Sequence, residues 1–348
     1  MIDLTAPPPS HSPWQRFYGA VLAERRRRGG RQRLDALTWS VGNLHWGGGG
    51  KTPLVAEIGR QLLELGASVC VLSRGYGRSG REPRLVSRGD GPLCSAFEAG
   101  DEPHLLARTV PGLAVAVASQ RYDAGRLALR ELAAAPDVFL LDDGFSHVRL
   151  DRDLDVLAFP AADPFARGRL LPSGRLREPL SASRFAAAAV LTGLAPASGD
   201  APEERGRDLQ KALEPHGFGG TGFATERVAQ VDAGIGRALL VSGVARPEGV
   251  EASAASCGVE VVEHLAFGDH HAFPESSLKR IRDRRYAHGN VPVLATSKDW
   301  GKLTGRLEAE VAELTIRCRT TAGFRDWIEQ RLNDGRVGRG AAPQPPPE

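Results

Sequence analysis

The chain has 348 residues, 41% of them hydrophobic and 25% charged, with a formal net charge of +3. Its length exceeds the roughly 100–200 residues of one ordinary domain, so two domains are expected. The composition is that of a soluble globular protein: no run approaches the ~18 apolar residues of a spanning helix, and the net charge is too small to imply nucleic acid.

The first residues carry Pro7, Pro8 and Pro9 rather than a basic start and an apolar core, so no signal peptide is expected. From Trp14 to Arg33 the large apolar residues Trp14, Phe17, Tyr18, Val21 and Leu22 fall three and four apart, which on a helix makes one stripe. Arg25 to Arg28 follow. An aromatic stripe ending in arginines suits a helix lying in a membrane interface, and the same pattern suits a helix packed on its own domain with a solvated basic end.

Beyond Leu37, strand and helix alternate. Leu37 to Val41 reads as a strand, Lys51 to Leu65 as a helix stopped by Gly66, and Ser68 to Leu72 as the next strand. Leu54, Val55, Ile58, Leu62 and Leu65 share one helix face. Apolar runs follow at Leu113–Ala118, Val138–Leu141, Val156–Phe159 and Ala188–Leu191, then at Ala238–Val241, Val259–Val262 and Val291–Ala295. Short apolar strands between helices indicate a mostly parallel sheet covered on both faces. Ala195 to Gly206 reads as a surface loop, and the Gly- and Pro-rich end from Gly335 as a disordered tail. Cys70, Cys94, Cys257 and Cys318 are scattered without CxxC pairing, which favours a reducing compartment over a structural metal.

The strongest local signal is Gly47-Gly48-Gly49-Gly50-Lys51-Thr52 between a predicted strand and a predicted helix. Glycines let backbone N–H groups turn in around phosphate oxygens, and the helix behind adds its positive dipole end. Lys51 would reach the β/γ-phosphates of a nucleotide, and Thr52 would hold Mg2+. His45 stands where the first glycine of the strict phosphate-loop pattern belongs. Asp142 and Asp143, closing the apolar run from Val138, supply the acidic companion expected near the metal.

Further blocks narrow the chemistry. Val41-Gly42-Asn43 and Thr52-Pro53 flank the loop. Then come Ser73-Arg74-Gly75-Tyr76-Gly77, Gly100-Asp101-Glu102-Pro103, Asp142-Asp143-Gly144-Phe145 with His147, Gly168-Arg169-Leu170-Leu171-Pro172, Leu176-Arg177-Glu178-Pro179-Leu180 and Phe267-Gly268-Asp269-His270-His271-Ala272-Phe273. In this order, from about Trp14 to Leu303, the chain resembles the tetraacyldisaccharide 4'-kinases, the lipid A 4'-kinase family.

The resemblance implies transfer of the ATP γ-phosphate to the 4'-hydroxyl of a tetraacylated glucosamine disaccharide 1-phosphate, at the cytoplasmic face of the bacterial inner membrane. It implies a phosphate-loop NTPase-type fold, a mostly parallel sheet with helices on both faces, plus a smaller C-terminal α/β domain. The expected organisation is a membrane-contacting amphipathic segment over residues 1–34, a nucleotide-binding domain over 35–225, the smaller domain over 226–334 and a tail over 335–348. The cofactors implied are ATP and Mg2+, and the partners are the lipid A disaccharide precursor and the membrane surface.

A sugar hydroxyl is a poor nucleophile and needs a base within hydrogen-bond reach. The resemblance offers Asp101 and His270, with the carboxylate either orienting the imidazole or taking the proton itself. Lys51 joins them as a catalytic cation, Arg74 as a nucleotide contact, and Asn43, Glu102, His147, Arg177 and Glu178 as substrate contacts. Three positions depart from the family pattern: Gly49 replaces a threonine, Ser146 a glutamine, and Thr296-Ser297-Lys298-Asp299 keeps part of a Thr-Glu-Lys-Asp block. Two other phosphate-loop classes fit the loop without the membrane helix or the base: an ATP-dependent ligase and a nucleotide-switched cofactor-binding module.

Overall fold

A computed structural model describes residues 2–7, 13–28, 32–47, 50–196, 201–231, 234–244, 247–269 and 271–340. The chain divides into two compact units, one holding the residues up to Glu226 and from Cys318 onward, the other Arg227–Arg317.

The first unit opens with helix α1 (Pro13–Arg28), followed by β1 (Leu37–Gly42), α2 (Lys51–Glu64), β2 (Val69–Ser73), β3 (Arg84–Arg88) and the short α3 (Ala96–Ala99). Next come α4 (Asp101–Thr109), β4 (Ala114–Val117), α5 (Arg121–Glu131), β5 (Val138–Asp142), β6 (Leu154–Pro160), β7 (Ala188–Leu194), α6 (Pro202–Leu213) and β8 (Thr221–Val231), whose residues from Arg227 onward belong to the second unit. Its strands lie in the order β8-β7-β6-β1-β5-β2-β4-β3. Neighbours in this order pair in parallel except β3, which runs antiparallel to β4.

The apolar runs are continuous because the sheet is covered on both faces. Along β5, Val138 and Leu140 enter one core with Leu54, Ile58 and Leu62 of α2, while Phe139 and Leu141 enter another with Ala124 and Ala128 of α5. Helix α2 stops where the sequence says it should. Gly66 N–H donates to Leu63 C=O and Ala67 N–H to Leu62 C=O, the paired bonds of a Schellman turn.

The second unit carries β9 (Arg237–Ser242), α7 (Glu248–Ser256), β10 (Glu260–Ala266), α8 (Glu275–Ala287), β11 (Val293–Thr296) and α9 (Ser297–Leu303). Strand β12 (Val311–Arg319) then leads the chain back to the first unit, where α10 (Ala322–Gly340) follows. The order β10-β9-β11-β12 is parallel throughout, with Leu239, Val241, Val293 and Ala295 on one core face and Ala238, Leu240 and Leu294 on the other.

The C-terminal boundary therefore differs from the expected 334. Phe324, Trp327, Ile328 and Leu332 fall on one face of α10 and are buried in the same core as Trp39 and Ile58. Each such side chain contributes about 1.5–3 kcal/mol by leaving water. Gly335 to Gly340 continue this helix instead of starting a disordered tail, and residues 341–348 lie outside the described set. Helix α6 also begins inside the span read as a loop, with Pro202 in its first turn.

The stripe on α1 splits. Tyr18 packs against the core around Phe145 and Leu180, and Leu22 is half-buried, whereas Phe17 and Val21 are 62% and 47% exposed. The side chains of Trp14 and of Arg25 to Arg28 lie outside the described set. No helix among the described residues is long and apolar enough to cross a membrane.

Candidate active site

Strand β1 delivers the glycine loop and α2 receives it. Gly50, the residue before α2, sits at φ 73° and supplies no side chain to cap the first-turn amides, nor does that turn hold an acidic residue. Unsatisfied N–H groups at the positive end of a helix dipole, with Lys51 among them, form an anion site. A Cβ on Gly50 would meet Thr192 Oγ1 at 2.7 Å, so close approach as well as the positive φ requires glycine there. Gly48 and Gly49 lie outside the described residues.

The other rim is the segment Arg175–Glu178. Trp46 N–H donates to Arg175 C=O at 2.7 Å, Arg177 N–H to Leu44 C=O at 2.8 Å, and His45 bridges Leu176 antiparallel. His45 is buried with Nε2 3.1 Å from the Asp163 carbonyl oxygen, and burial holds its pKa down at about 4. A short antiparallel ladder thus pins the position where a glycine usually opens such a loop.

Parallel pairing sets Val41 opposite Asp142, which brings the acidic pair beside the loop's first residues. Asp142 is buried; its Oδ2 accepts from Ser73 Oγ at 3.2 Å and its backbone carbonyl from Arg121 Nη2 at 3.2 Å. Its Oδ1 is buried with no hydrogen-bond partner. Burial, then the charges of Glu102 and Asp143, raise the Asp142 pKa well above the carboxylate range against the pull of Lys51 and Arg121.

Asp143, at φ 53°, behaves in the opposite sense. Burial opposes its charge too, but the hydrogen bond from Arg177 and the charges of Lys51, Arg177 and Arg121 outweigh it and bring the pKa to about 2. The Arg177 fork grips Asp143 through Nη1 at 3.1 Å from Oδ2 and through Nη2 on Oδ1, the bidentate arrangement that guanidinium favours. The same Nη2 donates to Asn43 Oδ1 at 2.9 Å, and Nε to the Asn43 carbonyl at 3.2 Å. Lys51 Nζ stands 3.6 Å from Asp143 Oδ1, and the Ser146 hydroxyl donates to Glu178 Oε1.

Arg74, exposed just past β2, and Asp101, the first residue of α4, are brought together by two glycines. A Cβ on Gly100 would come within 3.0 Å of Gly75 Cα, and one on Gly75 within 2.7 Å of the Ala99 carbonyl oxygen. The turn after β2 and the start of α4 therefore touch backbone to backbone.

A family model described as tetraacyldisaccharide-1-P 4'-kinase, LpxK, matches residues 11–333. The chain belongs to the tetraacyldisaccharide 4'-kinase family. It is 40% identical over 277 residues to a tetraacyldisaccharide 4'-kinase of Geobacter sulfurreducens, covering 79% of this chain and 76% of that one. Identity to the enzyme of that name from Anaeromyxobacter sp. strain K is 37% over 329 residues, covering 90% and 85%. Among solved structures, the "apo" form of LpxK from Aquifex aeolicus in complex with ATP superposes with a TM-score of 0.70 at 29% identity, covering 93% of this chain and 97% of that one. The chain is accordingly a phosphotransferase of the α/β class.

In this kinase the expected residues Asn43, Lys51, Asp142, Asp143 and Arg177 meet in one network, with Glu102 close enough to act on Asp142 and Glu178 held by Ser146. Gly47 lies in the loop at φ 96° and Thr52 in the first turn of α2. The His147 carbonyl accepts from Arg152 Nη1 at 2.8 Å, and His270 lies outside the described residues. Sequence reading missed Arg121, Ser73 and the role of Ser146. Arg121 is buried, its Nε has no partner, and burial lowers its pKa. Its only signal was an arginine opening a helix after a strand, which carries no motif.

Among the described residues no group of three or more His, Cys, Asp or Glu is placed to hold a metal. Magnesium does not need such a cage, since it keeps waters and binds through one or two carboxylates plus phosphate. The buried, unpartnered Asp142 Oδ1 fits that demand, whereas both Asp143 oxygens are engaged by Arg177.

Proposed function

We propose that the chain transfers the γ-phosphate of ATP to the 4'-hydroxyl of a tetraacylated glucosamine disaccharide 1-phosphate, a lipid A precursor, at the cytoplasmic face of the inner membrane. The observation that carries this reading is the uncapped start of α2 with Lys51 and Arg177 converging on Asp143, in a chain of this family.

The amides before and within the first turn of α2 bind the phosphates, and Lys51 neutralises charge on the transferring group. Arg177 holds Asp143 ionised, which keeps Lys51 oriented along the loop. Thr52 and Asp142 would hold Mg2+, with Asp143 beside them; the ion supplies charge neutralisation at the β- and γ-phosphates. Asp101 and His270 form the base dyad. The acceptor oxygen bonds to the γ-phosphorus, the β–γ bridging P–O bond breaks, ADP carries away its electron pair, and the hydroxyl proton passes to the dyad.

The exposed Phe17 and Val21 on α1 support contact with the bilayer surface, where the lipid substrate resides.

The test is label transfer from γ-labelled ATP to detergent-solubilised tetraacyldisaccharide 1-phosphate. Asp101→Ala and His270→Ala are expected to lower kcat by roughly 10²–10⁴-fold while ATP affinity stays within about twofold, because a base acts on the acceptor and not on the nucleotide. Full turnover in both variants removes the dyad from the mechanism.

A further inference from the structure

One buried imidazole beside the glycine loop has no task in the reading above. His45 stands where the strict phosphate-loop pattern opens on a glycine, yet the backbone does not demand one there: His45 takes no positive φ and bridges Leu176 antiparallel. The first left-handed residue comes two positions later, at Gly47. The fold therefore accepts a side chain at this position, and the imidazole is buried edge-on against the Phe159 ring with centroids 6.3 Å apart.

The Asp163 carbonyl oxygen 3.1 Å from His45 Nε2 can only accept, so Nε2 carries the proton. Nδ1 is buried with no hydrogen-bond partner among the described residues. A second proton there would make an unsatisfied buried donor, in keeping with a pKa held down at about 4, so the ring stays a neutral donor. The acceptor is itself held just past the end of β6, the strand that pairs with β1. Asp163 N–H donates to Pro160 C=O at 3.1 Å, its Oδ1 accepts from Ala166 N–H at 3.0 Å, and Arg175 Nη1 stands 3.7 Å from its Oδ2. Arg175 closes the circuit, since its carbonyl takes the Trp46 N–H at 2.7 Å, and Asn43 Nδ2 donates to the Gly47 carbonyl at 3.4 Å.

Packing alone does not call for histidine, because an apolar ring would fill the space against Phe159 without burying an unsatisfied nitrogen. What the imidazole adds is a bond from the loop to the neighbouring strand's end. We infer that His45 is a positioning residue for nucleotide binding: its bond to Asp163 locks the entry of the glycine loop to the end of β6 and so holds in place the amides that receive the phosphates. The inference rests on the reading of this loop as the ATP phosphate site. A loop that samples other entries binds ATP only in its competent fraction, so losing the bond shows as lost affinity. Restoring the strict pattern with a glycine at this position thus weakens the site instead of completing it.

The test compares His45→Gly, His45→Phe and His45→Gln in the full chain. The Kd for ATP is measured by equilibrium titration without acceptor, and kcat and both KM values with γ-labelled ATP and micellar tetraacyldisaccharide 1-phosphate. His45→Phe keeps a ring and drops the donor, whereas His45→Gln keeps an N–H donor at similar reach. His45→Gly and His45→Phe are expected to raise the Kd and KM for ATP about tenfold, the competent fraction falling to roughly a tenth, with kcat at saturating ATP and the KM for the disaccharide within about threefold of the parent. His45→Gln is expected to recover most of the ATP affinity. If His45→Gly does not fold, His45→Phe decides alone. Parent-like ATP affinity in His45→Phe overturns the positioning role, as does His45→Gln binding ATP as weakly as His45→Phe, or a loss confined to kcat. Gly50→Ala breaks the loop independently of His45, through its positive φ and its contact with Thr192. Parent-like ATP affinity in that variant removes the phosphate-loop reading and this inference together.

Discussion

Both units present a cluster of polar groups at the carboxyl ends of parallel strands, the usual place for a site in an open α/β sheet, and the two clusters are built on opposite principles. In the first unit, at the ends of β1 and β5, charges of both signs crowd together and some atoms are left unsatisfied, Asp142 Oδ1 and Arg121 Nε among them. Asp142 is driven toward its neutral form and Asp143 toward its charged form, one residue apart. In the second unit, at the ends of β9 and β11, the Asp299 carboxylate gathers two donors on a single oxygen and fixes a loop. The first cluster gathers charges of both signs beside the start of α2; the second gathers donors on one oxygen of a single buried carboxylate, whose other oxygen faces Lys302 Nζ at 3.9 Å.

The sharpest challenge to this contrast is Lys51→Ala. Removing a cation that acts on the transferring phosphate is expected to lower kcat roughly 10²–10³-fold and to leave the unliganded fold intact, as read by circular dichroism and the unfolding midpoint. A variant with near-parent turnover would break the view of the first cluster as a charge receiver.

The two aspartates sharpen the contrast through pH. A carboxyl whose native pKa is raised binds its proton more tightly when folded, so it costs stability increasingly as pH rises through the interval between its ordinary and native values. Asp142→Asn is therefore expected to raise the unfolding midpoint above the parent's at about pH 8 and to match it near about pH 4. Asp143 has the reverse sign: its stabilisation is present above the ordinary value of 3.8 and is lost as pH falls toward about 2. Asp143→Asn is expected to lower the midpoint at about pH 8, with the difference vanishing toward about pH 2. Parallel trends in the two variants would sink the assignment of opposite environments.

Smaller effects are expected away from the cluster. Phe17→Ser combined with Val21→Ser is expected to weaken sedimentation with phosphatidylglycerol vesicles by about tenfold, with turnover on micellar substrate falling less. Unchanged sedimentation would return α1 to the role of a helix packed only on its own unit. The least change is expected for Tyr18→Phe, which loses the hydroxyl bond to the Arg177 carbonyl at 3.1 Å. A cost of about 1 kcal/mol in urea unfolding is the usual magnitude for one such bond.

Much of this architecture was legible because buried parallel strands must be apolar on both faces: Val138–Leu141 and Ala188–Leu191 announce themselves without any partner. Strands β3, β8 and β12 escaped because their apolar residues alternate with Arg84, Glu226, Arg227, Glu313 and Arg317, so no continuous run marks them. Helix α10 carried its signal in Phe324, Trp327, Ile328 and Leu332, but the glycines that follow masked it. At the site, Lys51 and the aspartates were readable because the phosphate loop is a local device. The Ser73 bond to Asp142 and the Arg121 bond to its carbonyl depend on how β2 and α5 are brought beside β5, and such neighbours are set by tertiary packing.

The meeting of Gly75 with Gly100 has a mechanical consequence. With no side chain on either residue to act as a compressible spacer, the stretch bearing Arg74 and the stretch bearing Asp101 form one ridge. A side chain introduced at either glycine would force the guanidinium's turn and the acid at the helix start apart.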